Sequence, residues 1–182
     1  MKKHQSIGMF LLTCLLCLSA AVQGSEKLVE VRLVDDIDEA RGYCLDVAGG
    51  QGTRAPLNKG LQAHTCYDYK GHLLEDQSFD PALIKENMFK LPYFEVCMQA
   101  SSLQPSAALE LAKCNGDSNQ EFSLQQDGLL VLVANPELCV TANMNHKKEG
   151  RGGRPVHVMR SLSLQVCSDQ AAPFQIWTTL SL

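Results

Sequence analysis

Several absences narrow what this chain of 182 residues can be. Beyond residue 24 it has no Cys-x-x-Cys, so the common spacing of a thiolate metal site is missing. It has no His-x-x-x-His and no nucleophile-elbow pattern, which removes two frequent hydrolase signatures. Basic charge is scarce: 16 Lys and Arg stand against 20 Asp and Glu, a formal charge of −4. That balance argues against nucleic acid as a partner, which would need a basic face. No stretch shows a sustained helical period with caps at both ends. No Asn-x-Ser/Thr sequon occurs, so nothing points to N-glycosylation. These gaps favour a non-catalytic, mostly β domain, and they imply no cofactor.

The one prominent apolar run, Ile7 to Leu18, is too short for a comfortable membrane span. Lys2, Lys3 and His4 precede it, and the small residues of Ala20-Ala21-Val22-Gln23-Gly24 follow. This order reads as a secretory signal peptide over residues 1–24, with cleavage expected after Gly24. Cys14 and Cys17 would leave with it, and the mature chain, 25–182, would carry −6 and no membrane span. Six cysteines remain. An even number in an exported domain implies a disulfide framework and an extracellular location.

Those cysteines belong to a pattern that occurs three times. Cys44-Leu45-Asp46-Val47 leads to Cys66 and then to Gln77-Ser78-Phe79. Cys97-Met98-Gln99-Ala100 leads to Cys114 and Gln120-Glu121-Phe122. Cys139-Val140-Thr141-Ala142 leads to Cys167 and Gln175-Ile176-Trp177. A threefold internal repeat constrains architecture more tightly than a single motif. Of the possible pairings, the repeat favours Cys44–Cys66, Cys97–Cys114 and Cys139–Cys167, each closing a loop within one copy. Copies run over about 29–85, 86–126 and 127–182. Their unequal lengths mean loop insertions on a common scaffold.

Within each copy the strand signals repeat. Val29 to Leu33 alternates apolar and polar, as do Leu109 to Leu111 and Val156 to Val158. Asp127-Gly128 between two apolar runs signals a hairpin. Ala82 to Asn87 is compatible with a helical turn. Four strands per copy give twelve. In the closing triplet the aromatic is expected to point inward and fill a shared core, while the next residue back points out. The glutamine amide is placed to bridge backbone groups of adjacent turns. Asp35 to Glu39 lacks the glycine and distal glutamate of a calcium loop and reads as a solvated surface loop. Lys147 to Arg154, basic and glycine-rich, reads first as a mobile surface loop and second as an anion-binding tip.

Twelve short strands in three copies, Cys-Leu-Asp-Val and a closing Gln-x-Trp together resemble the ricin B-type lectin family. The resemblance covers about residues 29–179. It implies an all-β fold, a β-trefoil of three repeats with one disulfide in each. It also implies a shallow sugar pocket per repeat: an aspartate after the first cysteine takes sugar hydroxyls, a ring before the second cysteine stacks on the sugar, and a polar residue beside the triplet glutamine completes the set. Carbohydrate suits such groups, because amides and carboxylates orient its hydroxyls while a ring covers its C–H face.

Carried over residue by residue, the first repeat matches best, with Asp46, Gln62, His64, Asp76 and Gln77 as the implied carbohydrate-binding set. His64 stands where a stacking aromatic is usual, and Asp76 where an asparagine is usual. Tyr67 or Tyr69, in the longer segment after Cys66, offers a ring in compensation. Two readings stay open for several of these. Asp46 also suits the turn amides of Ala48 to Gly50, His64 suits an ordinary packed histidine, and Gln77 suits a purely structural role like Gln120 and Gln175. The second repeat has Gln99 for the aspartate and Ala112 for the ring. The third has Thr141 for the aspartate and Phe174 before its glutamine. Both are expected to be structural. The resulting expectation is a secreted lectin domain for a carbohydrate or glycan, galactose-type first, with a single weak pocket. The alternative is a degenerate trefoil that binds a protein.

Overall fold

A computed structural model of the chain describes residues 27–67 and 74–182. The expected signal peptide, Tyr69 and His72 lie outside the described residues. The repeat's periodicity becomes twelve strands among the described residues, joined by short 3-10 turns and one brief helix. In the first repeat, β1 (Val29–Leu33) precedes the hairpin of β2 (Tyr43–Val47) and β3 (Leu61–Thr65). The second repeat holds β4 (Lys90–Leu91), β5 (Val96–Ala100), β6 (Leu109–Lys113) and β7 (Phe122–Leu124). The third holds β8 (Leu130–Leu132), β9 (Asn135–Ala142), β10 (Lys148–Glu149), β11 (Val158–Val166) and β12 (Trp177–Ser181). The strands therefore fall unevenly over the copies. The first triplet forms an isolated bridge, Phe79 to Val29, in place of a strand, and β10 is an extra strand in the third copy's insertion.

Two sheets result. One runs β12-β1-β2-β3-β11-β9-β8-β7, and the other is β4-β5-β6. The first and last strands meet in the first sheet, where Val29 pairs with Ser181 and Leu33 with Trp177. Asp-Gly turns the β7–β8 hairpin as its sequence suggests, with Gly128 at φ +90°, a conformation that favours glycine. The helical turn starts one residue earlier than expected. It covers Pro81–Ile84, with the Asp80 carboxylate capping Ala82 and Leu83.

The triplet aromatics fill a common core. Phe79 and Phe122 are fully buried, Trp177 is 1 % exposed, and Phe89 sits between the two phenylalanines at ring separations of 6.3 and 6.5 Å. The Trp177 indole N–H donates to the Val140 carbonyl at 2.9 Å. The disulfides are the three that the repeat favours: Cys44–Cys66, Cys97–Cys114 and Cys139–Cys167. Closing loops of 22, 17 and 28 residues contributes on the order of 3 kcal/mol each on chain-entropy grounds.

The glutamines repeat one hydrogen-bond pattern in all three copies. Each side-chain oxygen accepts from the N–H just after the second cysteine: Tyr67 at 3.3 Å, Asn115 at 2.9 Å, Ser168 at 3.0 Å. Each side-chain nitrogen donates to the carbonyl just before that cysteine, on Thr65, Lys113 and Val166. Each also donates to the side chain two residues after the first cysteine: Asp46 at 2.7 Å, Gln99 at 3.0 Å, Thr141 at 2.9 Å. A single amide thus ties both ends of its disulfide loop to the closing strand.

Three sequence expectations change. Ser78, the middle of its triplet, is buried, because the turn before it folds over and the Ser78 hydroxyl donates to the Leu74 carbonyl. The acidic segment is solvated only in part: Asp35, Asp36 and Asp38 are exposed, but Glu39 is buried, and Asp36, Asp38 and Glu39 are all ion-paired. The basic loop after His146 is anchored rather than loose. Lys147 reaches Asp38 at 2.7 Å, and the Arg41 guanidinium donates to the carbonyls of Pro155 and Val156.

Candidate functional site

The β2–β3 hairpin sets the site. Asp46 lies directly opposite Gln62, and His64 lies two residues further along the same face. The Gln62 amide donates to Asp46 Oδ1 at 3.1 Å and the Gln77 amide donates to Oδ2 at 2.7 Å, and the Tyr67 hydroxyl, a further donor, also acts to lower the carboxyl's pKa. Asp46 is completely buried. Burial, and then the charge of Asp76, push its pKa well above the usual carboxylate range, against the pull of these donors.

Asp76 is also completely buried. Its Oδ2 accepts the Gly52 N–H at 2.8 Å, while Oδ1 has no hydrogen-bond partner among the described residues. A Cβ on Gly50 would come within 2.2 Å of Oδ2, so the glycine-rich turn can lie against this carboxyl only without a side chain there. Burial raises the Asp76 pKa, opposed by the Gly52 N–H.

His64 Nδ1 lies 2.8 Å from the Thr65 carbonyl, which assigns the ring proton to Nδ1, and 3.8 Å from Asp46 Oδ2. Burial, with the charges of His157 and Arg41 adding to it, pulls its pKa down to about 4 against the Thr65 hydrogen bond. The ring is therefore neutral at neutral pH. It packs edge-on against Tyr67 and His157 at centroid distances of 5.3 and 5.1 Å, and Tyr67 and His157 stand 5.7 Å apart.

These three rings border a cleft of about 650 Å³. Gln62 lines it beside them, the turn from Gly49 to Gly52 forms one side, and Gly150 to Gly153 of the third repeat form the facing side. Of the five residues that the sequence points to, Gln62 and His64 reach this cleft. Asp46, Asp76 and Gln77 lie behind its lining, joined to it through the hydrogen bonds above. Sequence reasoning missed His157 and the Gly150–Gly153 wall. Both depend on β11 pairing with β3, which sets Met159 opposite His64. Tyr67, offered as a ring in compensation, does stand at the cleft.

Behind the hairpin a second polar cluster fixes the third-repeat wall. Asp38 accepts from the Tyr43 hydroxyl at 2.8 Å and from the Arg160 guanidinium at 3.0 Å. Burial raises the Asp38 pKa, but hydrogen bonds from Lys147, Arg160 and Tyr43 outweigh it and hold the group well below the usual carboxylate range. Hydrogen bonds from Arg41 bring Glu39 down to about 2 despite burial. The Thr65 hydroxyl accepts the Val158 N–H at 2.8 Å, which seats the start of β11.

In the second repeat, Gln99 is engaged by Gln120, and the Asn119 amide donates to the Ala100 carbonyl. The third repeat opens a cleft of about 430 Å³, lined by Thr141, Asn143, Asn145, Ser163 and Gln165 among others, with no ionisable side chain.

A sequence profile of the ricin-type beta-trefoil lectin domain matches residues 31–160. The chain belongs to this family of carbohydrate-binding domains. No curated protein matches it by sequence. Its fold is that of solved β-trefoil lectins. The C-terminal half of the earthworm R-type lectin, solved with GalNAc, is 9 % identical at a TM-score of 0.55 and covers 86 % of this chain and 99 % of its own. The β-trefoil lectin of the Vibrio vulnificus hemolysin/cytolysin, solved with N-acetyl-D-lactosamine, is 16 % identical at 0.55, covering 87 % and 96 %. A non-toxic homologue of type II RIPs from Momordica charantia (bitter gourd), solved with α-methyl-D-galactoside, is 15 % identical at 0.57, covering 85 % and 48 %.

Proposed function

We propose that this chain is a secreted, non-catalytic carbohydrate-binding domain that takes a galactose-type sugar in the first-repeat cleft. The observation that carries this reading is the composition of the cleft: the rings of Tyr67, His64 and His157 beside the Gln62 amide, with the Asp46 carboxyl one hydrogen bond behind. Rings cover the C–H face of a sugar, while an amide and a carboxyl orient its hydroxyls. The Tyr67 hydroxyl on Asp46 stands in for a ligand hydroxyl. A bound sugar displaces it and takes the same acceptor. The exchange keeps Asp46 satisfied in both states, which matters because an unpaired buried carboxyl is costly. A shallow site of this kind binds weakly, so useful avidity comes from multivalent glycans.

The test is calorimetric titration with methyl galactoside and lactose. Asp46→Ala should abolish detectable binding while the variant still unfolds cooperatively. Binding by Asp46→Ala equal to wild type would remove Asp46 from the site. Export is tested by N-terminal sequencing of the secreted chain, which should begin at Ser25. The complete burial of Asp46 favours a second reading, a degenerate trefoil that binds a protein. A blank glycan array for the folded wild type would decide for it.

A further inference from the structure

The charge on the cleft wall is unusual for a chain with a net charge of −4. Of the side chains that line the cleft, Arg151 is the one with a formal charge at neutral pH. It is exposed, and no hydrogen bond or ion pair engages it among the described residues. Lys147, in the same loop, is consumed by Asp38, and Arg41 by Glu39 and the loop's own carbonyls. The acids Asp46 and Asp76 sit behind the lining and present no surface to the cleft.

The loop that carries Arg151 is built to hold it there. The Gly150 N–H donates to the His157 carbonyl at 2.7 Å, and the His157 N–H donates to the Gly152 carbonyl at 2.9 Å. Gly153, at φ +85°, lies so close that a Cβ would strike the His157 ring at 2.4 Å. The segment is thereby pinned on His157, with its main chain toward the cleft. Among the described residues no acceptor pairs with the N–H groups of Arg151, Gly152 or Gly153. A guanidinium and three adjacent N–H donors with no acid beside them form a surface that wants an anion, and a planar guanidinium matches a carboxylate or sulfate with two parallel bonds.

We infer that the sugar taken by this cleft carries an acidic substituent, a carboxylate or a sulfate, and that Arg151 selects for it. This rests on the sugar-binding reading above and specifies its ligand class. The rings and Gln62 hold the pyranose, and its acidic group points across the cleft to the third-repeat loop. Specificity then comes from two repeats acting together.

The experiment is titration of the wild-type mature chain with galactose, galacturonate and galactose 6-sulfate, repeated with Arg151→Gln and Arg151→Lys. Wild type should prefer at least one acidic sugar over galactose by about tenfold, the scale of one charge-assisted contact at a partly exposed site. Raising the salt should shrink that preference. Arg151→Gln should bring the acidic-to-neutral ratio close to one, and Arg151→Lys should retain part of it. Which acidic sugar is preferred separates a carboxylate ligand from a sulfate ligand. Equal binding of all three sugars by wild type, or a preference that survives in Arg151→Gln, overturns the inference and leaves the sugar-binding reading standing. Binding of none of the three overturns both.

Discussion

The glutamine of each triplet can be tested as a structural rivet, because its three contacts recur and its burial is nearly complete. Gln120 is 1 % exposed and makes bonds of 2.9, 3.0 and 3.0 Å to Asn115, Gln99 and Lys113. Gln120→Ala removes all three. A typical bond is worth about 1 kcal/mol net, and partners left unpaired add to the cost, so the expected loss is about 3 kcal/mol. Gln175→Ala removes an equivalent set, to Ser168, Thr141 and Val166, and should cost about the same. Gln77→Ala should cost more, about 4 kcal/mol, because its 2.7 Å bond serves a buried carboxyl that then lacks a donor. For a domain of this size each kcal/mol lowers Tm by roughly 2–4 °C, which puts Gln120→Ala about 6–12 °C below wild type. Scanning calorimetry at pH 7 with disulfides intact reads this, and exposed Gln126→Ala serves as the control, within about 0.5 kcal/mol of wild type. If Gln120→Ala and Gln175→Ala behave like Gln126→Ala, the rivet argument is wrong.

Two further outcomes follow from the site. His64 has a pKa of about 4 in the fold and near 6.5 when unfolded, so above pH 6.5 both states are neutral and its contribution is flat. As pH falls from 6.5 to 4 the unfolded chain binds a proton that the folded chain refuses. Stability then drops by up to about 3 kcal/mol, and the contribution is flat again below pH 4. Measured as wild type minus His64→Gln in urea titrations, this slope separates from Glu39, Asp46 and His157, which are present in both chains; a flat difference between pH 7 and 4 would count against a buried neutral His64. Tyr67→Phe keeps the ring but removes the hydroxyl that competes for Asp46, so sugar affinity should rise severalfold; weaker binding would make that hydroxyl a ligand contact.

What was legible in the sequence was whatever is local and repeated. The cysteines, the triplets and the Asp127-Gly128 turn each act within a few dozen residues, and comparing three copies exposed them. The disulfide pairing and the inward aromatics follow from that alone. Contacts between repeats were not legible. His157 meets His64, and Asp38 meets Arg160 across 122 positions, because β3 and β11 pair in one sheet. No periodicity within one copy carries that information. Asp38 looked solvated for the same reason: its partners Lys147 and Arg160 belong to another repeat. Ser78 looked outward-facing because a period of two says nothing of the turn that covers it.

The hydrogen bonds also change which residue distinguishes the first repeat. Asp46 stood out in the sequence because the other copies have Gln99 and Thr141 in its place. In the fold all three do one thing, accepting the triplet glutamine's N–H at 2.7–3.0 Å. An acceptor at this position is therefore a requirement of the scaffold, and any of three side chains meets it. Asp46 differs in what remains after that requirement is met. A carboxyl has further lone pairs, and one of these takes Gln62, whereas the Thr141 hydroxyl spends its own proton on the Cys139 carbonyl. That spare capacity has a use only where a cleft gives a ligand a way in. In the first repeat the facing wall of that cleft is the loop from Gly150 to Gly153, which the first repeat does not contain. On the proposed sugar-binding reading the functional unit is a joint of two repeats, and a change in the third-repeat loop should alter ligand choice without touching the β2–β3 hairpin that holds Asp46.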